Sequence, residues 1–252
     1  MNRRILSGST IKIIAVISMF IDHFGAILLK NGIVMNATYE TFSDSQFSFL
    51  LKVVEVCRIL GRAAFPLFCF LLVEGFVHTH NLKKYILQLG LFAIVSEPIY
   101  DLAFSGNIFS INGQNVMFTL LLGLLTLTLI KKCNDSFLWA VIFTLLSGIV
   151  SYILKFDGWY YGIIMITVFY LLRNKEWLKY LVTIAVTYLC GLDYSIQAFA
   201  DPYFLTAVSS IVIMALYSGE RGMRMKYFFY MFYPGHLLLL YSLTAFIIVP
   251  ML

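Results

Sequence analysis

Asp22 and His23 are two polar residues inside an otherwise apolar run that extends over residues 10–29. At about 1.5 Å per helical residue they lie roughly 18 Å into the run, past the middle of a hydrocarbon core of about 30 Å. Histidine titrates near pH 6.5, which suits a general base that deprotonates an amine or a hydroxyl. A hydrogen bond between packed helices is the alternative role. Adjacent helical side chains point about 100° apart, so we expect each residue to have its own partner.

Arg58 and Arg62 are four residues apart and therefore share one helix face, with Glu55 on the same side. The sequence predicts both arginines at or inside the outer half of a span over residues 57–77. An arginine inside a bilayer costs at least about 2.5–3.5 kcal/mol, so a pair needs partners or a function. One interpretation is an anion-binding pair. In the other, a structural clamp, Arg58 pairs with Glu55, and Arg62 pairs with Asp22 of a neighbouring helix.

His236 follows a Pro-Gly pair within the apolar run over residues 227–249. Proline and glycine in a span free backbone carbonyls, which is tolerated where protein or water binds them. His236 is therefore either a second catalytic or substrate-positioning histidine or a histidine bonded to the broken turn. The predicted catalytic residues are thus His23, Asp22, Arg58, Arg62 and His236.

Basic residues near the ends of the runs form a second candidate group. His78, Lys83 and Lys84 follow the second run, and the turn over residues 219–222 carries Arg221 and precedes Arg224. Cations and turn N–H groups bind phosphates, but the same residues also satisfy the charge bias of membrane proteins. His78 and His80 do not share a helix face, so we predict no metal site.

Several other site types are disfavoured by spacing. Glu97 and Asp101, on either side of Pro98, are predicted to cap or line a vestibule rather than to form a catalytic dyad. The four cysteines are far apart and show no CxxC pattern, which is typical of small apolar residues rather than of disulfides or zinc ligands. No Walker, GxSxG, HExxH or Rossmann motif occurs.

The elements that must position these residues follow from composition. Of 252 residues, 61% are hydrophobic and 12% are charged, and the mean hydropathy is +0.88. Soluble domains carry about 25% charged residues, so the composition excludes a soluble protein and predicts an all-α, multi-pass membrane bundle. The net charge of +5 forms no basic stripe, so nucleic acid is not an expected partner.

The apolar runs predict about nine spans, with a range of eight to ten, in one domain over residues 1–252. They extend over residues 10–29, 57–77, 85–104, 115–130, 137–154, 159–172, 177–191, 203–218 and 227–249. Alternate connections hold twelve and three basic residues, which predicts a cytoplasmic N-terminus and an extracytoplasmic C-terminus in the bacterial cytoplasmic membrane. The first run is predicted to be a retained span, and residues 31–56 an outer connection whose second half lies along the interface.

Several motifs together resemble the TraX family. They are Phe20-Ile-Asp22-His23, Arg58-Ile-Leu-Gly61-Arg62, Phe65-Pro66, Glu74-Gly75, Asn115-Val-Met-Phe-Thr119, Gly219-Glu-Arg-Gly222 and Tyr233-Pro-Gly-His236. Gly235 departs from the bulkier apolar residue that the family pattern leads us to expect. The likeness covers nearly the whole chain.

The resemblance implies a membrane acetyltransferase, because the founding TraX protein acetylates the N-terminus of conjugative pilin. Similar acyltransferases use a first-span histidine and nearby arginines, which points to His23, Arg58 and Arg62. The co-substrate implied is cytoplasmic acetyl-CoA. Lys83, Lys84, Arg221, Arg224 and His78 are its candidate ligands.

The resemblance leaves several questions open. The acceptor is an amine or a hydroxyl of a peptide or glycan that is reached from the outer side. The acetyl group is transferred either directly or through an acyl-histidine intermediate. The length of the acyl chain and the oligomeric state are also open. A transporter or proton-coupled carrier that uses the same charged residues is the alternative, and a passive assembly subunit is a third class.

The charge pattern generates a topology prediction. Alkaline phosphatase fused after Leu252 should be active, and the same enzyme fused in the Lys131–Lys132 connection should be inactive, because it folds only outside the cytoplasm. Green fluorescent protein at the same two sites should give the reverse signals. Equal phosphatase activity at both sites would contradict the predicted orientation.

Overall fold

The computed structural model describes residues 5–38, 41–191, 194–223 and 225–252, with only the backbone at residue 226. These ranges contain helices and no strand, and only isolated bridges join Leu6 to Tyr217 and Gln114 to Phe156. The all-α prediction is confirmed. The helices are α1 (Gly8–His23), a π-helix π1 (Phe24–Val34), α2 (Asp44–Gly61), α3 (Ala64–His78), α4 (Leu82–Ser105), α5 (Val116–Lys132), α6 (Phe137–Ile153), α7 (Trp159–Leu171), α8 (Glu176–Cys190), a 3₁₀ turn (Ile196–Ala200), α9 (Pro202–Ala215), α10 (Lys226–Leu243), a second π-helix π2 (Thr244–Ile248) and α11 (Val249–Met251).

Four helical stretches of the described chain are long and apolar enough to cross a membrane, judged by length and composition. They are Gly8–Val34, Asp44–His78, Leu82–Ser105 and Tyr227–Met251. The apolar helices α6, α7 and α9 are shorter. The chain is therefore a helical membrane protein, and the count of nine spans and the orientation of the termini stay predictions.

The second predicted run is not one straight helix. Helix α2 begins with a capping box between Ser43 and Gln46 and ends at Gly61, and α3 begins at Ala64. Pro66 explains the break, since it has no N–H to donate to the carbonyl four residues earlier. Arg58 and Arg62 therefore lie at the end of α2, before the break, within the apolar stretch Asp44–His78.

Helix α3 forms the centre of the bundle. It packs against α1, α5, α7 and α9. Nine of its residues are buried, Leu67 and Cys69 completely. Helix α10 packs against α4, α1 and π1 on another side of the bundle. The helices that carry His23 and His236 are thereby brought into contact, although 213 positions separate the two residues.

Glycine permits the close contact between α1–π1 and α2. A Cβ atom at Gly61 would lie 2.3 Å from the Cβ and Oδ1 atoms of Asp22, and one at Gly25 would lie 2.6 Å from the Cβ atom of Cys57. Ser18 donates a hydrogen bond of 2.7 Å to the carbonyl of Leu60 at the same crossing. The two backbones can therefore approach until side chains of α2 reach Asp22.

A matched pair of glycine substitutions tests this crossing. Gly61→Ala should destabilise the protein by about 1–3 kcal/mol, because the new methyl group overlaps Asp22 and forces the helices apart. At Gly235 no atom lies within 4 Å of the added Cβ. Gly235→Ala should leave stability unchanged or raise it by about 0.5–1 kcal/mol. Thermal unfolding in detergent measures both, and equal midpoints for the two variants would contradict the packing described.

Candidate active site

His23 and His236 form a buried hydrogen-bonded pair between α1 and α10. The Nδ1 atom of His23 lies 2.7 Å from the Nε2 atom of His236. The ring planes are 3° apart and the centroids 5.0 Å apart. This separation is close to the N···N distance plus the two ring radii, so the hydrogen bond lies in the plane of both rings. The two residues are 8% and 4% exposed.

The hydrogen-bond chain determines which nitrogen carries each proton. The Nδ1 atom of His236 lies 2.7 Å from the carbonyl oxygen of Phe232. A carbonyl can only accept, so Nδ1 of His236 carries hydrogen and Nε2 of a neutral His236 accepts from Nδ1–H of His23. The Nε2 atom of His23 then carries a lone pair, and no hydrogen bond within the described residues uses it. His23 is thus oriented as a base.

Irregular helix geometry surrounds the pair on both helices. The α1 helix changes to π1 at Phe24, directly after His23, and π1 extends over 11 residues. Such geometry is rare and is often found at functional sites. In α10, Pro234 lies inside the helix two residues before His236. Phe232, the residue whose carbonyl accepts from His236, also stacks on the His236 ring at 4.8 Å.

Asp22 pairs with Arg58 across the α1–α2 crossing. The Nη1 atom of Arg58 donates to the Oδ2 atom of Asp22 in a short contact. The expected clamp, in which Arg58 pairs with Glu55 and Arg62 with Asp22, is wrong in its partners. The break explains the difference, because α2 ends at Gly61, with Arg62 as its C-cap, and Arg58 lies one turn back on the face toward α1.

Arg62 has a different environment from Arg58. Its guanidinium group lies over the ring of Tyr203 in α9, 5.3 Å from the centroid, and it makes no ion pair within the described residues. A cation–π contact leaves the guanidinium N–H groups available for another acceptor. Arg62 is therefore the arginine of the two that can bind a ligand anion without breaking an ion pair.

These residues face one cavity of about 750 Å³. Asp22, His23, Arg58 and Arg62 line it, and His236 lies behind His23. Its remaining wall is rich in aromatic side chains: Phe65, Phe68, Tyr100, Phe104, Trp159, Tyr160, Tyr161, Tyr188, Tyr203 and Phe204. The lining residues come from the ends of helices that the charge pattern predicts to be outermost. Five side chains selected from sequence are thus brought together at the cavity and directly behind it.

Asp157 also lines this cavity and was missed from sequence. It lies in the connection between α6 and α7, where Phe-Asp-Gly-Trp is typical of an ordinary turn. The Asp157 side chain is exposed to the cavity. Desolvation by the surrounding protein raises the pKa of its carboxyl, as does Asp22, and the guanidinium groups of Arg58 and Arg62 and the N–H of Gly158 lower it. A carboxylate in a short outer connection, two residues after Lys155, was the only available signal.

The second group of predicted residues does not form one site. Lys83 and Lys84 lie in the first turn of α4 and line a separate groove of about 380 Å³. No hydrogen bond or ion pair among the described residues joins them to Arg221. The Arg221 carbonyl instead accepts from the N–H of Ser9, at the start of α1. Arg224 lies outside the described residues.

His78, the last member of that group, ends α3 and is exposed. Its Nδ1 atom lies 2.9 Å from the carbonyl oxygen of Glu74, one turn earlier on the same helix. The contact is local, and it connects His78 to neither lysine. The structure therefore leaves its predicted role in ligand binding as a prediction.

Glu97 and Asp101 organise the loop before α5. Glu97 accepts from the backbone N–H and the side-chain amide of Asn115. Asp101 accepts from the backbone N–H of Ser110 at 2.8 Å. Each carboxylate therefore has its own partner in the loop, as expected for capping groups rather than for a dyad.

Comparison with known proteins gives the family. The family model described as TraX protein matches residues 7–244. The chain belongs to the TraX family. A curated relative, the probable fimbrial assembly protein FimC of serogroup H1 from Dichelobacter nodosus, is 31% identical over 265 residues, which covers 98% of this chain and 100% of the relative. No solved structure matches this TraX chain.

The Asp22–Arg58 pair generates a stability prediction for this TraX protein. Asp22→Asn and Arg58→Met should each lower stability by roughly 1–3 kcal/mol, because each leaves a half-buried charge without its partner. The double variant should lose less than the sum of the two. A double-mutant cycle from thermal unfolding measures the coupling energy. Additive losses would show that the contact carries no stabilising interaction.

Proposed function

We propose that this protein is a membrane acetyltransferase that moves an acetyl group from cytoplasmic acetyl-CoA to an acceptor in the cavity. The observation that carries the proposal is the hydrogen-bond chain from His23 through His236 to the Phe232 carbonyl. It leaves a lone pair on the Nε2 atom of His23, a residue that lines the cavity. Family membership supports the same class of reaction.

In direct transfer, the Nε2 atom of His23 takes a proton from the acceptor amine or hydroxyl. The acceptor nitrogen or oxygen forms a bond to the thioester carbonyl carbon, and the C–S bond then breaks. The thiolate receives the proton from His23 and leaves as CoA thiol. His236 stabilises the imidazolium by keeping Nδ1 of His23 hydrogen-bonded, the orienting role that a third group has in catalytic triads.

Arg62 is the candidate for stabilising the negative charge that develops on the carbonyl oxygen. It faces the same cavity and makes no ion pair within the described residues. A donor already in place for a developing oxyanion is typically worth about 10²–10³ in rate. Arg58 is less suited, since its guanidinium group is bound to Asp22.

On the donor side, Lys83 and Lys84 are the candidates for the CoA phosphates. Both lie in the first turn of α4, where exposed N–H groups and the helix dipole favour anions. The groove that they line also contains Gln88, whose side-chain amide N–H groups can donate to a phosphate oxygen. Acetyl-CoA would supply the activated acyl group and a thiol as the leaving group.

The acceptor proposed is a surface-assembled protein or polymer. The name of the curated relative associates that protein with fimbrial assembly, and the family resemblance points to a pilin N-terminus. A cavity built from the predicted outer ends of the helices is suited to an acceptor that arrives from outside the cell. His23 can take a proton from either an amine or a hydroxyl acceptor.

Removal of His23 tests the proposal. The purified chain, reconstituted in vesicles with labelled acetyl-CoA, should acetylate alanylphenylalanine amide or glucosamine. His23→Ala should lower kcat by about 10²–10⁴, the usual contribution of a general base. His236→Ala should also lower kcat, because the His23 ring loses its orienting acceptor. Product is measured by mass spectrometry.

His80→Ala is the matched control, since His80 is exposed and does not line the cavity. It should retain the wild-type rate. Full activity in His23→Ala would contradict the assignment of the base. Labelled acetyl groups on His23 in the absence of acceptor would select the acyl-histidine route over direct transfer.

A further inference from the structure

Asp157 is one of three carboxylates that line the cavity, with Asp22 and Asp201, and the proposed reaction assigns no step to it. Its loop is held firmly, since the Asp157 N–H donates to the carbonyl of Gln114 at 2.8 Å and its carbonyl accepts from the hydroxyl of Thr119. Gly158 has φ +90°, and a Cβ atom there would lie 2.3 Å from Phe65. The Asp157 side chain is therefore presented from a fixed backbone.

The other cavity charges have identifiable partners. Asp22 is paired with Arg58. Asp201 caps α9 by accepting from the N–H of Tyr203 at 2.9 Å. Among the described residues, Asp157 and Arg62 are the lining charges that make neither an ion pair nor a helix cap. A carboxylate and a guanidinium group thus remain for a ligand.

We propose that Asp157 determines acceptor specificity by binding the ammonium form of an amine acceptor and taking its first proton. The inference rests on the proposed acetyl transfer and adds a residue to it. Aromatic walls beside a carboxylate favour a cation, because ring faces attract ammonium groups. Tyr100 and Trp159 supply such rings in the same cavity.

The chemistry requires a second base for an amine but not for a hydroxyl. An ammonium group has no lone pair, so one proton must leave before nitrogen can attack, and a second leaves as the C–N bond forms. His23 has one lone pair and takes the second proton. Asp157 takes the first and releases it to water in the open cavity. The sum is ammonium plus thioester giving amide, thiol and one proton.

The charged and titratable groups around Asp157 come from four helices. They are Asp22 of α1, Arg58 and Arg62 of α2, Tyr100 of α4 and Tyr233 of α10. The charged side chains that line the cavity are the carboxylates of Asp22, Asp157 and Asp201 and the guanidinium groups of Arg58 and Arg62. Three carboxylates against two guanidinium groups give the lining a net charge of −1, which favours a cationic ligand, and Asp157→Asn removes this excess of negative charge.

Two isosteric probes test the inference without requiring catalysis. Alanylphenylalanine amide carries an ammonium group at neutral pH, and lactylphenylalanine amide carries a hydroxyl in its place. Isothermal titration calorimetry of the full chain in detergent measures binding of each. Asp157→Asn should weaken binding of the amine probe about 10- to 100-fold, the value of a charge-assisted hydrogen bond. Binding of the hydroxyl probe should not change.

Asp44→Asn is the matched control, because it removes one exposed carboxylate that does not line the cavity. It should bind both probes as the wild type does. Asp157→Glu provides a second variant that keeps the charge and should retain the preference for the amine. In transfer assays, the kcat/KM of Asp157→Asn for the amine should recover as pH rises, since the free amine no longer needs the first base.

The outcomes separate the inference from the proposed function. Equal affinity of wild type and Asp157→Asn for the amine probe would overturn the role of Asp157, as would the absence of any preference of the wild type for the amine. If amine binding depends on Asp157 but the wild type transfers no acetyl group to either probe, the binding role stands and the acetyltransferase proposal fails.

Discussion

The contact between Asp22 and Arg58 is the interaction on which the cavity depends. Each charge lies in a stretch apolar enough to cross a membrane, where neither has a favourable solvent. Each is therefore stabilised mainly by the other, and the pair fixes α2 against α1. The glycine at position 61 makes that approach possible. The same crossing directs Asp22 and Arg58 into the cavity, so the ion pair both joins the helices and forms one wall.

The histidine pair lies beside that wall, at a point where both of its helices are irregular. Asp22 and His23 are adjacent in α1 and point in different directions. Asp22 therefore contacts Arg58 of α2, and His23 contacts His236 of α10. The change to π geometry after His23 and the proline before His236 occur on the two helices that meet there. Pro234 cannot donate to the carbonyl of Tyr230, four residues earlier, and the Phe232 carbonyl accepts from the His236 side chain. The hydrogen bond to this carbonyl, together with the bond between the two rings, orients the pair.

Much of the helical architecture could be predicted from sequence because a bilayer imposes one rule on every span. The observed helices α4 to α9 coincide with predicted runs to within a few residues. The second run was predicted less well, since hydropathy does not detect the missing hydrogen-bond donor of Pro66, and the helix breaks before it. The predicted ion-pair partners of Arg58 and Arg62 were wrong for the same reason. A spacing of four residues gives a common face but does not identify the helix that the face meets.

The sequence by itself determined the membrane environment, the family and the rare polar residues that merit testing. A charged side chain in lipid is costly, so those that occur there have a partner or a function. Only the tertiary structure decided how those residues pair. It joined His23 to His236 and Asp22 to Arg58, left Arg62 over an aromatic ring, and separated Lys83 and Lys84 from Arg221. It also brought Asp157 into the cavity from a connection that looked like an ordinary turn. These pairings depend on the distances between helices that are far apart in the chain. Those distances depend in turn on how closely glycine lets two backbones approach, and the periodicity of the sequence does not specify them.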